Sequence, residues 1–481
     1  MQQRYTDGML QPPLLALLVA TAATAAAAAA LLFVVRLNRL MLRTPPEVLP
    51  YLKEPLTEEA AREAYTRVKE KGVDFRSRHP GVLERRYIIV GGSGLVGCQI
   101  ALDLIDGGTP VEAIRIIDLR RPIREEFSQS GRAGDVAFVQ ADVTSEASTT
   151  AAFEAPWPTS TAHLPLTVFH TAAVIRPYER HELLYHRCSR VNVLGTATAL
   201  SCAQRAGADI FIFTSSSQAA TRSVGWSDTW TGASPRNWAQ VLDETDATHS
   251  PRQQMKHAEY ASNYARSKIE AEQLVCAANG PRFRTGCIRP GNGIYGHVQD
   301  AIFGRMLRAE RVPTFAAPWV QSWVHVRNVS LAHMLLQKEL VGPHAEGISG
   351  RPFVVTDNGP WMLRFEDLYT LLRATSSTRF IIDYPPPVVI WMAAQVVEWY
   401  CVMLARWPRL SSLLGLREPG ELLIWCQPAT IDSSATQMAR DDVARRTPEE
   451  GGLGYKGYCS TLEGLCDFMR EWNEAALKGI Q

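Results

Sequence analysis

Apolar and polar positions divide the chain into distinct regimes. Leu14 to Val35 carries no charge: leucines, then an alanine run, then Leu31 to Val35. A helix of this length can cross a bilayer core, which takes about 20 apolar residues. Thr44 to Arg85 is rich in Pro, Glu, Lys and Arg and predicts a polar spacer with one helix near Thr57–Lys71. From Arg86 onward short apolar runs alternate with helical periodicity. Tyr87–Val90, Ala113–Ile117, Val136–Gln140, Leu166–Phe169 and Ile210–Phe213 read as buried strands, and Leu95–Ile105, Arg190–Arg205 and Tyr264–Val275 as helices. Such alternation implies an α/β architecture with a doubly wound parallel sheet. A last apolar stretch, Val388–Ala405, follows Pro385-Pro386-Pro387 and is interrupted by Gln395 and Glu398.

The strand at Tyr87–Val90 runs into Gly91-Gly92-Ser93-Gly94-Leu95-Val96-Gly97, and the next strand ends at Asp118. Small residues at Gly91, Gly94 and Gly97 let a backbone approach a pyrophosphate at a helix N-terminus. An acidic residue about 20 positions later can bond the adenosine ribose. The pattern is that of a Rossmann-type dinucleotide fold. Asp118 would repel the extra phosphate of NADP, which favours NAD; Arg120 and Arg121 keep NADP open as an alternative. Polar clusters fall at the other strand ends: Asp142-Val143, His170-Thr171-Ala172-Ala173 and Thr214-Ser215-Ser216-Ser217.

Tyr264 and Lys268 lie four apart, on one face of a helix. A neighbouring cation stabilises a phenolate, drawing tyrosine down from its usual pKa near 10. A Tyr-x-x-x-Lys pair alone is an ordinary surface pattern; here it follows the glycine loop and the serine run in order.

Together these residues resemble an extended short-chain dehydrogenase/reductase. Arg289-Pro290-Gly291-Asn292-Gly293-Ile294-Tyr295-Gly296 and Trp323-Val324-His325-Val326-Arg327-Asn328-Val329 are similar to signatures of the 3β-hydroxysteroid dehydrogenase and sterol-4α-carboxylate 3-dehydrogenase branch. The resemblance covers about Arg86 to Trp472. It implies Tyr264 as general acid/base, Lys268 lowering its pKa and bonding the nicotinamide ribose, and Ser216 orienting the substrate oxygen, a place Ser215 or Ser217 could also fill. It implies Asn192 in a proton relay. Gly91, Ser93, Gly94, Leu95, Val96, Gly97, Asp118, Asp142, Val143, Ala172, Ala173, Tyr264, Lys268 and Pro290 would hold the cofactor. His170 and His325 read as packing residues. Arg327 stands where the branch usually has an acidic residue, which puts local salt bridging in doubt.

Composition narrows the rest. In 481 residues, 50 Lys plus Arg offset 49 Asp plus Glu, and the net charge of +1 argues against a dedicated nucleic-acid binder. Nine cysteines form no Cys-x-x-Cys pair, which reads as a reducing compartment with no disulfide framework and no metal site. Arg36, Arg39 and Arg43 follow the first apolar stretch, against only Arg4 and Asp7 before it, so a single-pass anchor would keep the catalytic part cytosolic; the endoplasmic reticulum is the expected membrane. A cleaved signal peptide and an alanine-rich soluble helix are the alternatives. The expected organisation is an anchor at 1–43, a spacer at 44–85, an NAD-binding domain at 86–360 with an insertion at 222–258, and a smaller C-terminal substrate-binding region at 361–481. In that region helix 388–405 either lies in the membrane interface or packs as a buried domain helix. Trp226, Trp230 and Trp238 of the insertion read as an aromatic cover over the substrate or as a packed surface insertion.

The expected function is oxidation of a ring hydroxyl on a sterol-like alcohol, with decarboxylation where a 4-carboxylate adjoins the new ketone. Membrane lipid is an expected partner, and a homodimer is open. A nucleotide-sugar epimerase or other carbonyl reductase on the same fold, and a non-catalytic NAD-binding membrane scaffold, are the alternatives.

Overall fold

The computed structural model describes residues 12–244, 255–359 and 361–478; Arg4, Asp7 and part of the 222–258 insertion lie outside them. Seven parallel strands form the central sheet: β1 (Arg86–Val90), β2 (Ile114–Asp118), β3 (Ala137–Gln140), β4 (Leu166–His170), β5 (Ala208–Thr214), β6 (Arg284–Pro290) and β7 (Pro352–Val355). Their spatial order is β7-β6-β5-β4-β1-β2-β3. The order reverses between β1 and β4, which opens a crevice at the carboxyl ends of those strands.

Period-two alternation divides the buried strand residues between two cores. Tyr87, Ile89, Ile116 and Phe169 face the helices α3 (Leu95–Asp106) and α7 (Val326–Val341), meeting Ile100, Leu104, Leu331 and Leu336. Ile88, Val90, Ile117 and Val168 face α4 (Glu146–Glu154), α5 (Thr196–Arg205) and α6 (Asn263–Ala277). Both faces are covered, so the strands read as apolar runs rather than as clean alternation.

A third core lies beyond the sheet. It joins α2 (Glu58–Lys71), α8 (Phe365–Thr375) and α10 (Thr461–Leu477) through Ala61, Ala64, Leu368, Leu371, Phe468 and Trp472. Residues 44–85, expected as a spacer, are packed into this body. Leu56 N donates to Asp367 Oδ1 at 2.8 Å, Thr44 Oγ1 to Pro318 O at 2.9 Å, and Arg78 to Gly457 O. Of the insertion tryptophans, Trp226 and Trp238 are buried and Trp230 is half exposed. Trp226 stacks on Trp319 at 5.9 Å, and Trp230 stacks on Phe33 at 4.2 Å.

The first apolar segment is helix α1 (Pro12–Met41). Its residues 16–32 are exposed, while Phe33, Leu37 and Met41 enter the third core. Val388–Ala405 falls within α9 (Pro387–Arg406). Val388, Ala394, Val397 and Cys401 are buried; Val389, Met392, Val396 and Trp399 form an exposed stripe. Among the described residues, α1 and α9 are the two helices long and apolar enough to cross a membrane.

Candidate active site

The glycine loop is shaped by what cannot fit beside it. Gly91 has φ +80°, and a Cβ there would lie 2.3 Å from Ala172 N, where β4 turns away. A Cβ on Gly97 would lie 2.5 Å from Gly91 O. Gly94 opens α3 without a side-chain cap, which leaves the first-turn N–H groups of Leu95, Val96 and Gly97 for an anion. Asp118 closes β2, accepting from Ser93 N at 3.0 Å and Leu119 N at 2.6 Å. Arg121 lies over the Phe138 ring at 5.1 Å. The Asp142 carboxylate holds Thr144 N and Oγ1 at 2.9 and 2.8 Å. Val143 packs on Gly195, Ala172 N donates to Val90 O, and Pro290 ends β6. Ala173 follows on the same exit loop as Ala172, half-buried. These groups lie on or next to the carboxyl edge of the sheet. The glycine cradle, the uncapped helix start and Asp118 fit a nicotinamide dinucleotide.

Tyr264 and Lys268 sit in the first turns of α6, which Ser262 caps by accepting from Ala265 N. Both are buried. Where the sequence predicts a phenol lowered by Lys268, burial pushes Tyr264 up to about 12, and it is a hydrogen bond with Ser216 that opposes the rise. Burial draws the Lys268 ammonium down to about 7. Lys268 Nζ donates to Thr214 O, the last carbonyl of β5, at 2.8 Å, and lies 5.9 Å from the centre of the Tyr264 ring. Ser216 Oγ also accepts from Gln218 N at 3.1 Å. The neighbouring Ser215 and Ser217 hydroxyls are buried with no partner among the described residues.

Asn192 occupies a π-helical turn, Arg190–Gly195, where the sequence predicted an unbroken helix. Such single-turn bulges re-aim side chains and recur at functional sites. Here Asn192 Oδ1 accepts from Val174 N at 2.8 Å, and its Nδ2 donates to Ser267 Oγ at 2.8 Å; Ser267 donates to Tyr264 O at 2.8 Å. The amide thus ties the loop after β4 to α6. His170 is buried against Phe211 and Phe213, and burial holds its pKa down to about 3, leaving it a neutral packing group bonded to Thr196.

The signature after β6 assembles around a residue the sequence reading did not single out. Asp357 accepts from Tyr295 Oη (2.8 Å), His325 N (2.7 Å), Asn328 Nδ2 (2.7 Å) and Thr461 Oγ1 (3.0 Å). Burial raises its pKa to about 6. Its position just past β7, beside polar Thr356 and Asn358, was the available signal. Arg327 is not left unpaired: it stacks on Phe75 at 4.6 Å and approaches Asp103 of α3 at 3.8 Å.

A parallel sheet with a glycine loop at its switch point and Tyr-x-x-x-Lys at its carboxyl edge defines an extended short-chain dehydrogenase/reductase. The chain belongs to the 3-beta hydroxysteroid dehydrogenase/isomerase family, whose model matches residues 88–379. It is 26% identical over 314 residues to a Mus musculus 3 beta-hydroxysteroid dehydrogenase type 7, covering 62% of this chain and 75% of that one. It is 25% identical over 317 residues to a decarboxylating sterol-4-alpha-carboxylate 3-dehydrogenase of Candida albicans, covering 63% and 79%. A UDP-glucose-4-epimerase structure from Stenotrophomonas maltophila shares the fold at TM-score 0.52 and 17% identity, over 82% of this chain and 99% of that one. The protein is an NAD-dependent oxidoreductase acting on CH–OH groups.

Proposed function

We propose that this enzyme oxidises the 3β-hydroxyl of a sterol-like ring alcohol drawn from a membrane. The observation that carries the chemistry is the meeting of Tyr264, Ser216 and Lys268 in one buried site at the end of β5. Ser216 orients the substrate oxygen and Tyr264 takes its proton. Lys268, on the same helical face, helps hold the Tyr264 phenolate that accepts this proton and bonds the nicotinamide ribose, and Asn192 fixes the turn through which the proton leaves. Gly91, Ser93, Gly94, Leu95, Val96 and Gly97 would hold the pyrophosphate, and Asp118 the adenosine ribose. Asp142, Val143, Ala172, Ala173 and Pro290 would line the rest of the dinucleotide. Bound NAD supplies the hydride acceptor. With a 4-carboxylate beside the new ketone, the β-keto acid would lose CO2.

The substrate class is supported by the names of the mouse and Candida relatives and by the surface. Helix α1 would be the single-pass anchor. Helix α9 would lie in the interface on its Val389, Met392, Val396 and Trp399 stripe, with residues 361–481 completing the substrate side and the catalytic part on the cytosolic face of the endoplasmic reticulum.

The test is product analysis with paired 3β-hydroxysterols, one bearing a 4-carboxylate and one not. The 3-ketone from both, with CO2 from the first alone, is the expected outcome. Ketone from neither sterol, with turnover of a nucleotide-sugar, would overturn the substrate assignment.

A further inference from the structure

Glu398 is the single acidic residue of α9, in a helix otherwise apolar along most of its length. A carboxylate placed there is costly to desolvate unless it is paired. Its partner is Arg180, on the loop after β4. Arg180 Nε donates to Glu398 Oε1 at 2.8 Å and Nη2 donates to Oε2 at 2.9 Å, a fork-on-fork pair. Arg180 Nη1 also lies 3.6 Å from Asp432 Oδ2, on a carboxylate with no solvent exposure. The Arg180 loop is held to the catalytic helix through its backbone. Glu179 O accepts from Asn263 N at 2.7 Å, and His181 O accepts from Asn263 Nδ2 at 3.1 Å. Asn263 immediately precedes Tyr264. Arg180 O accepts from His257 Nε2 at 2.8 Å. Two short links therefore connect the helix that carries the exposed apolar stripe to the residue beside the catalytic tyrosine.

We propose that Arg180 is a positioning residue through which the seating of α9 on a bilayer sets the placement of Tyr264. This rests on the reading of α9 as an interfacial helix. Glu398 faces the body and the apolar stripe faces away from it, so lipid contact on one side of α9 fixes the carboxylate on the other. The fork-on-fork pair transmits that position because two parallel hydrogen bonds restrain orientation as well as distance. Small misplacements of a reacting group have large effects on rate, so the coupling would appear in kcat rather than in KM.

The experiment compares the full-length protein in phosphatidylcholine nanodiscs and in detergent micelles by hydrogen–deuterium exchange. Wild type, Glu398→Gln and the conservative Glu398→Asp, which keeps a carboxylate facing Arg180, are examined together. In wild type, nanodiscs are expected to protect both α9 and residues 257–268. In Glu398→Gln, α9 stays protected while protection at 257–268 is lost, and Glu398→Asp keeps most of it. With a 3β-hydroxysteroid that the wild type turns over, Glu398→Gln is expected to lower kcat by about tenfold, with KM little changed. Protection at 257–268 that is the same in Glu398→Gln as in wild type would overturn the coupling and leave the pair a structural tie. Absence of lipid protection on wild-type α9 would overturn the interfacial reading itself, and the coupling with it.

Discussion

Arg289 and Glu272 meet as a fork-on-fork ion pair with neither side chain exposed to solvent, at 2.8 and 2.6 Å. Glu272 is one turn beyond Lys268 on α6, and Arg289 precedes Pro290 at the end of β6. The pair therefore clamps α6 to β6. Removing one partner from a buried pair leaves an uncompensated charge, at a cost of about 3–5 kcal/mol. Glu272→Ala should lower stability by that order in chemical denaturation, well beyond the effect of a surface substitution.

Gly91 is confined by Ala172 N, 2.3 Å from where a Cβ would stand, and its φ of +80° disfavours any side chain. Gly91→Ala should weaken NAD binding by at least about tenfold in a direct titration, with the loop displaced from β4. Gly72 also has positive φ but no atom within 4 Å, so Gly72→Ala should leave NAD binding unchanged.

The pH dependence follows from Tyr264 and Lys268. With the free phenol pushed up to about 12, its basic form grows as pH rises, so kcat/KM for alcohol oxidation should climb through the neutral and alkaline range. The reduction direction should show the opposite trend. Lys268 falls to about 7 in the fold from its ordinary 10.5. Below pH 7 both folded and unfolded chains carry the proton, and the folded state bears the full penalty of a buried ammonium. Between these values only the unfolded chain takes the proton up, so this group's contribution raises stability with pH across that window. Lys268→Met should flatten this part of the stability profile, read by thermal unfolding at a series of pH values.

Asp357 gathers four donors from Tyr295, His325, Asn328 and Thr461. Asp357→Ala would strand buried donors, each costing about 1–3 kcal/mol. A fall in stability on the order of 3 kcal/mol or more is expected, with weakened docking of α10 visible as faster amide exchange at Thr461–Leu477.

Removing residues 1–32, which spares the core residues Phe33, Leu37 and Met41, should release part of the protein from the membrane fraction but not all of it, because α9 keeps its exposed Val396 and Trp399. Disruption of α9 as well should complete the release. Full solubility of the intact chain would contradict both membrane roles.

Much of this was legible in the sequence, for physical reasons. The buried strands announced themselves as apolar runs because helices cover both faces of the sheet, and the glycine loop because only glycines clear Ala172 and Gly91 O. The long-range partners were not legible. Nothing local in residues 44–85 marks them as packed into the body: α2 buries only Ala61, Ala64 and Val68, small residues that a composition rich in charge obscures. Arg327 looked like a departure because its partners, Phe75 and Asp103, are far away in the chain. The π turn at Arg190–Gly195 has no signature in a helical period. Asp357 carries no local pattern because its donors come from four separate positions along the chain.

The most direct test of the central claim is NAD reduction by the full-length enzyme with a panel of 3β-hydroxysterols, beside Tyr264→Phe. Reduction by wild type that falls by about 10²-fold or more in Tyr264→Phe, with NAD binding and folding retained, is the expected result. Equal turnover by both proteins, or none by wild type with any ring alcohol despite bound NAD, would contradict it.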